Sequence, residues 1–357
     1  MKTVTILSDG RPGHFNQTLG IAERLKQVEV KIIEVHYKRK FFDLLLRLSG
    51  FIYRFVPFSK LFIEFLFKIS LENKTFEEII STNPDIVMSA GSSVATINAM
   101  LGKLKDAKSI VCMTPSFIGT APFDLAVVPE HDLLPDKENI IKTIGAPNRI
   151  NKAFIEKEIE KWNDMLDIDL LSLNRPLVSI FLGGSDQYHT MNMKIVATLL
   201  KETENFVLKK NGQLLITTSL RTPGEVENKL KNRFPNNICP LLIIADEWDD
   251  NPVPMMIGIS DIIIVTEDSV SMISEAVSGN NKVVVVGLAK NKSKRKPRYL
   301  QVCNLLKEKG YISYIEHGQV GTGKVQEVMA DLYNAEKTRH LLDDTSKVAR
   351  EIQERFL

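Results

Sequence analysis

The chain has 357 residues, with 46 Lys and Arg against 44 Asp and Glu. A formal charge of +2 gives no global reason for a nucleic-acid partner. Cys112, Cys239 and Cys303 lie far apart, with no C-x-x-C pair and no matching His spacing, so neither a disulfide framework nor a zinc site is expected. Such a length exceeds one ordinary core, so two domains are expected. The first residues run into a strand, so neither a secretory signal nor an Arg- and Ser-rich presequence is expected. No uncharged stretch approaches the roughly 20 residues of a membrane span. The expected compartment is reducing and cytoplasmic.

In chain order, the first predicted strand is "VTILS", followed by "SDGRPGH" and a helical pattern. Ser8, Asp9, Gly10, Arg11 and Gly13 make a candidate anion or acceptor loop. Its glycines permit tight turns, the following helix offers free N–H groups, and Arg11 could donate twice to a phosphate or carboxylate. His14, at the mouth of that helix, is a candidate general base. Neither G-x-G-x-x-G nor the P-loop lysine is present, and the plain alternative is a β-to-α turn capped by Ser8 or Asp9.

After the strand "VKIIEVHY", residues 38–70 hold 8 of the 17 phenylalanines. On a helix, Lys40, Asp43, Arg47 and Arg54 share one narrow face, and Lys60, Glu64 and Lys68 repeat at steps of four after Pro57. Two readings follow: helices lying at a membrane interface, or helices packed on the sheet or a partner subunit. Strands "DIVMSA", "SIVCMT", "DLAVVP" and "IIKTIG" complete the first half. "AGSSV", 90–94, lacks the G-x-S-x-G nucleophile elbow.

Residues 151–175 read as a linker helix and connector between domain 1–150, with its 38–70 insertion, and domain 176–335. The second domain restarts the plan with "PLVSIFLGG", "QLLITTS", "PLLIIAD", "DIIIVTE" and "KVVVVGL". Short apolar runs alternating with helical patterns predict an α/β fold of parallel sheets. Gly183, Gly184 and Ser185 could wrap a diphosphate, and "TTSLRTP" adds Ser219 and Arg221 at another strand end. Thr266, Glu267, Asp268 and Ser269 lead into a helix with Met272, Ile273, Ala276 and Val277 as its core stripe. Ser271 and Glu275 share another face, where hydroxyls and N–H groups suit phosphates and a carboxylate suits ribose. The loop "WDDNPVP" places Asn251 as a possible cleft residue and lacks the D-x-D arrangement of a metal–nucleotide site. "KNKSKRKPR", 290–298, is a solvated basic loop or a contact for a polyanion. A helix within 336–357 could cross back to the first domain.

"SDGRPGHFNQTLG", "PEHD", "GGS", "TTSLRTP", "NP" and "VTEDSVSMISEA", in this order, resemble the mitochondrial fission ELM family over most of the chain. That family is similar in turn to GT-B glycosyltransferases, including the lipid-linked GlcNAc transferase of peptidoglycan synthesis. The resemblance implies a GT-B-like fold, two Rossmann-like domains with parallel sheets facing across a cleft. It implies His14 as the acceptor's base, Gly183, Gly184 and Glu275 around a nucleotide-diphosphate sugar, and "PEHD" with His131 as a cleft segment. Neither metal nor resident cofactor is expected; the nucleotide-sugar is substrate. A lipid-linked or envelope acceptor and a peripheral place on the inner face of the membrane follow if 38–70 binds lipid. Other outcomes are a non-catalytic adaptor that recruits a protein partner, which the acidic "TEDS" turn favours, and a sugar-nucleotide epimerase.

Overall fold

The computed structural model describes the chain except residues 234–236, 292–298 and 337–340. It divides into two compact units, Met1–Arg149 with Asp343–Leu357, and Ile150–Leu342. Most of the basic loop 290–298 lies outside the described residues.

In the first unit, six strands form one parallel sheet: β1 Lys2–Ser8, β2 Val28–Glu34, β3 Ile86–Ala90, β4 Lys108–Cys112, β5 Leu125–Pro129 and β6 Ile140–Thr143. Their order is β2-β1-β3-β4-β5-β6. The sequence runs that form β3 to β5 are almost entirely buried, as expected of strands covered by helices on both faces. The reversal of strand order between β1 and β3 is the place where such sheets leave a crevice beyond the strand ends.

Asp344–Phe356 is a helix of this unit and packs on the helix Pro12–Ala22. Its start is tied down because the Asp344 carboxylate accepts from the Ile144 and Gly145 N–H groups, each at 2.8 Å. Helices Lys40–Tyr53 and Lys60–Ser70 pack on the helix Ser92–Lys105. Gly50 permits that approach, since a Cβ there would lie 2.3 Å from Thr96 Oγ1.

In the second unit the strands are β7 Leu177–Phe181, β8 His189–Thr190, β9 Gln213–Thr217, β10 Leu241–Ile243, β11 Ile262–Thr266, β12 Lys282–Val286, β13 Ala289–Lys290 and β14 Ser313–Ile315. Six form a parallel sheet in the order β10-β9-β7-β11-β12-β14, while β8 and β13 make a separate antiparallel ribbon. Here the order reverses between β7 and β11, again the expected crevice.

The helix Lys152–Leu166, expected as a linker, is an integral layer of this unit. It packs on Val253–Ile259, where Gly258 admits Ile155 and Ile159, and it buries Trp162 completely beside Trp248. Among the described residues, no helix is long and apolar enough to cross a membrane.

Candidate functional site

The loop after β1 and the loop after β3 meet at the first sheet's reversal point. Asp9 opens the first of these, and its Oδ2 lies 2.9 Å from His14 Nδ1 and accepts from Ser93 Oγ at 2.5 Å. The Arg11 N–H donates to the other carboxylate oxygen at 3.3 Å. Burial alone would raise the Asp9 pKa, but the His14 and Ser93 hydrogen bonds and the nearby imidazole hold it down at about 2. Asp9 is therefore ionised, which favours the His14 tautomer with its proton on Nδ1 and a lone pair on Nε2.

Gly91 fixes where that ring sits. It has φ +77°, and a Cβ there would come within 2.5 Å of His14 Cε1, so the imidazole lies directly against the glycine backbone. The His14 side chain remains 18% exposed, enough for a reacting group to approach. Ser93 is in turn held by the chain before the first apolar helix, because the Tyr37 hydroxyl donates to its carbonyl at 2.5 Å.

Other expected residues of this unit divide in two. Ser8 Oγ accepts from the Gly10 N–H and shapes the turn, while the Arg11 side chain is 70% exposed and 3.8 Å from Asp9. His131 and Asp132 lie on the 3-10 turn Glu130–Asp132 after β5, where Asp132 accepts from Thr114 Oγ1 at 2.5 Å. Ser93, Tyr37 and Gly91 were missed by the sequence reading, and a glycine–serine pair at a strand end was the only signal they offered.

At the second reversal point, β7 runs out through Leu182 into Gly183 and Gly184, and β11 ends in Thr266. The Gly183 N–H donates to Thr266 Oγ1 and the Gly184 N–H to Asp268 Oδ2, both at 2.8 Å. Thr266 Oγ1 donates to Asp268 Oδ1 at 2.7 Å, and Arg221 Nη2 to Oδ2 at 2.9 Å. Gly184 cannot carry a side chain, because a Cβ would lie 2.0 Å from the Arg221 carbonyl oxygen. Thr222, buried, bonds the Gly183 carbonyl, and Ser219 Oγ accepts from the Arg221 N–H at 3.2 Å. Ser185 Oγ accepts from the Met191 N–H, closing the loop.

Glu267 is fully buried. It accepts from the Tyr314 hydroxyl at 2.5 Å and the Leu288 N–H at 2.7 Å, with His189 Nε2 at 3.3 Å. The other ring nitrogen of His189 faces Asp186 at 3.3 Å. Burial works to raise the Glu267 pKa, and His189, Tyr314 and Leu288 more than offset it, leaving the carboxyl below its ordinary range. Burial, then Glu267, pushes the Tyr314 hydroxyl up.

These contacts correct the expected roles of Thr266, Glu267 and Asp268. Their polar atoms brace the glycine turn and the β8–β13 ribbon from inside, so the acidic turn presents no exposed charge. What this edge offers outward is the Arg221 guanidinium, 44% exposed and aimed by Asp268. Directly after Asp268 in sequence stands the helix Val270–Ser278, whose Ser269 makes no side-chain cap. Ser271 lies half-buried in its first turn. Glu275, one turn on, is buried and has an interaction of its own. In the core stripe, Ile273, Ala276 and Val277 are buried and Met272 is partly exposed. Asn251, expected at a cleft, is an exposed helix-start residue whose side chain accepts from the Val253 N–H at 3.1 Å. No group of three His, Cys, Asp or Glu side chains is placed to hold a metal among the described residues.

The family model described as mitochondrial fission ELM1 matches residues 12–356. A mitochondrial fission protein ELM1 of Arabidopsis thaliana is 26% identical over 247 residues, covering 61% of this chain and 54% of that protein. The match thus spans about half the length of the plant relative. Among solved structures, UDP-GlcNAc 2-epimerase from Neisseria meningitidis bound to UDP-GlcNAc superposes with a TM-score of 0.56 at 13% identity, covering 99% of each chain. The spinosyn forosaminyltransferase SpnP superposes with a TM-score of 0.52 at 10% identity, covering 99% of this chain and 95% of that one. The chain belongs to the mitochondrial fission ELM1 family, and its α/β fold is that of the GT-B glycosyltransferases and epimerases.

Proposed function

We propose that this member of the mitochondrial fission ELM1 family is a metal-independent, GT-B-type glycosyltransferase. Its donor would be a nucleotide-diphosphate sugar and its acceptor a lipid-linked or envelope hydroxyl, met at the inner face of a membrane. The observation that carries the reading is the Asp9–His14 pair, with Nδ1 of the ring held by an ionised carboxylate and the side chain partly open.

In the transfer step, His14 Nε2 takes the proton of the acceptor hydroxyl as that oxygen attacks the anomeric carbon. The bond from that carbon to the diphosphate oxygen breaks, and the nucleoside diphosphate leaves with the electron pair. Asp9 stabilises the imidazolium that forms, as an ionised partner does for a histidine base. Charge developing on the leaving diphosphate would meet Arg221 and the uncapped N-terminus of Val270–Ser278, donors fixed in place before reaction. Gly183 and Gly184 let the backbone approach the phosphates, and Ser271 and Glu275 supply hydroxyl and carboxylate contacts. The carboxylates of the acidic turn are engaged internally, which supports a turn built to meet a phosphate over an acidic adaptor surface.

Calorimetric titration with nucleoside diphosphates and nucleotide-sugars tests this reading. Binding is expected, weakened by Glu275→Ala and Arg221→Ala and retained by His14→Ala, which would lose transfer alone. A folded protein that binds none of these ligands would overturn the assignment and return the adaptor to the front.

A further inference from the structure

The hairpin of helices Lys40–Tyr53 and Lys60–Ser70 has three kinds of surface where an ordinary packed helix has two. Leu46, Gly50 and Tyr53 face the unit's core, as do Ile63, Leu66 and Phe67 of the second helix. Lys40, Asp43, Arg47 and Arg54 form a charged strip, with Arg47 bonded twice to Asp43 at 2.7 Å. Phe41, Leu44, Leu48, Phe51, Ile52 and Phe55 then recur at helical spacing on the remaining side, all exposed, Phe55 by 66%. The second helix continues this surface with Leu61, Phe62 and Phe65, Leu61 being 83% exposed. A chain of ring contacts, Tyr53 to Phe58 at 5.5 Å and Phe58 to Phe62 at 5.0 Å, joins the two helices. Packing on the helix Ser92–Lys105 therefore accounts for only one face of each helix, and a second apolar face is left outward.

Charge decides what covers it. Residues 38–70 carry seven Lys and Arg against two acids in a chain whose whole net charge is only +2, so the rest of the molecule is net acidic. A second copy docked face to face would bring two such basic segments together, since a two-fold contact pairs a surface with itself. An anionic lipid leaflet meets both halves of the pattern, taking the apolar side chains among its acyl chains and the cations among its headgroups.

We infer that the exposed stripe of residues 41–65 is an interfacial anchor for anionic membranes. The anchor is tied directly to the histidine site, because Tyr37, three residues before the first helix, bonds the Ser93 backbone and Ser93 bonds Asp9. Docking thus holds His14 near the leaflet, and the acceptor hydroxyl comes from a lipid at that surface. This last step rests on the transfer reading, whereas vesicle binding does not.

The test is sedimentation of the full chain with phosphatidylcholine vesicles, with and without about one-third phosphatidylglycerol, at low salt and at about 0.5 M NaCl. Binding is expected only with phosphatidylglycerol, weakened by salt and by at least about 10-fold in Phe51→Glu with Phe55→Glu, exposed positions whose change leaves the fold intact. Insertion is read separately from Phe51→Cys carrying an environment-sensitive dye, since the native cysteines are buried; a blue shift with anionic vesicles is expected. Absence of vesicle binding, or binding unchanged in the double variant, would overturn the anchor. So would a dimer in solution that the double variant dissolves, which would assign the face to a second copy. Nucleotide binding that persists without vesicle binding would leave the transfer reading standing and remove only the anchor.

Discussion

The two sheets reverse strand order at equivalent places, yet they use their carboxylates in opposite ways. At the β1/β3 end, Asp9 gathers His14 and Ser93 and leaves the ring partly open. At the β7/β11 end, Asp268 and Glu267 are buried and bonded on every side, to Gly184, Thr266 and Arg221 and to Tyr314, Leu288 and His189. One topological position can therefore orient a partly open imidazole or stiffen a glycine turn. The difference lies in the partner: Asp9 holds an imidazole that can take up a proton, whereas Asp268 holds a backbone N–H, a hydroxyl and the permanently charged Arg221 guanidinium.

Removing Asp268 should break that comparison hardest. Asp268→Ala leaves the Gly184 N–H and the Thr266 hydroxyl without an acceptor and frees Arg221, for about 3 kcal/mol of stability. Urea unfolding should show the loss as a lower midpoint at unchanged slope. A near-neutral result would mean that the glycine turn does not need its carboxylate.

Asp9→Asn comes next, with about 2 kcal/mol lost at neutral pH. The folded pKa of about 2 lies below the ordinary 3.8, so the ionised group stabilises the fold above about pH 4. That contribution fades as pH falls toward 2. The wild-type and Asp9→Asn stability curves should therefore converge on acidification, and parallel curves would contradict the pairing.

The contrast between the two ends was only partly legible in the sequence. Buried parallel strands announce themselves as apolar runs, so the runs from "VTILS" to "KVVVVGL" each locate a strand. β14 was missed because Ser313–Ile315 is short and only partly apolar, and β8 and β13 because two-residue pairings leave no periodicity. The glycine loops could be read from residue type and place. The bracing role of Asp268 could not, because its partner Gly184 is 84 positions away, and an acid after a strand looks the same whether it faces ligand or backbone. Likewise the basic strip of 38–70 could be read, but a helix with two apolar faces follows no single hydrophobic period.

Tyr314→Phe sharpens the second end at lower cost. It removes one donor to a buried carboxylate that keeps the Leu288 N–H and the His189 ring, so about 1.5 kcal/mol is expected by thermal unfolding. The loss should shrink as pH falls through the depressed Glu267 pKa, because the protonated acid no longer needs a donor there.

The smallest structural effect should accompany the largest functional one. His14→Gln gives up a partly exposed ring that lies against Gly91, and Asp9 keeps Ser93 and the Arg11 N–H, so stability should change by less than about 1 kcal/mol. Sugar transfer should nonetheless fall by about 100-fold to 10,000-fold, the range for losing a positioned base. Nucleotide binding, which the proposed function assigns to the other unit, should be unchanged. A variant that loses stability and binding together would show instead that His14 is a packing residue, and the two reversal points would then be alike in kind.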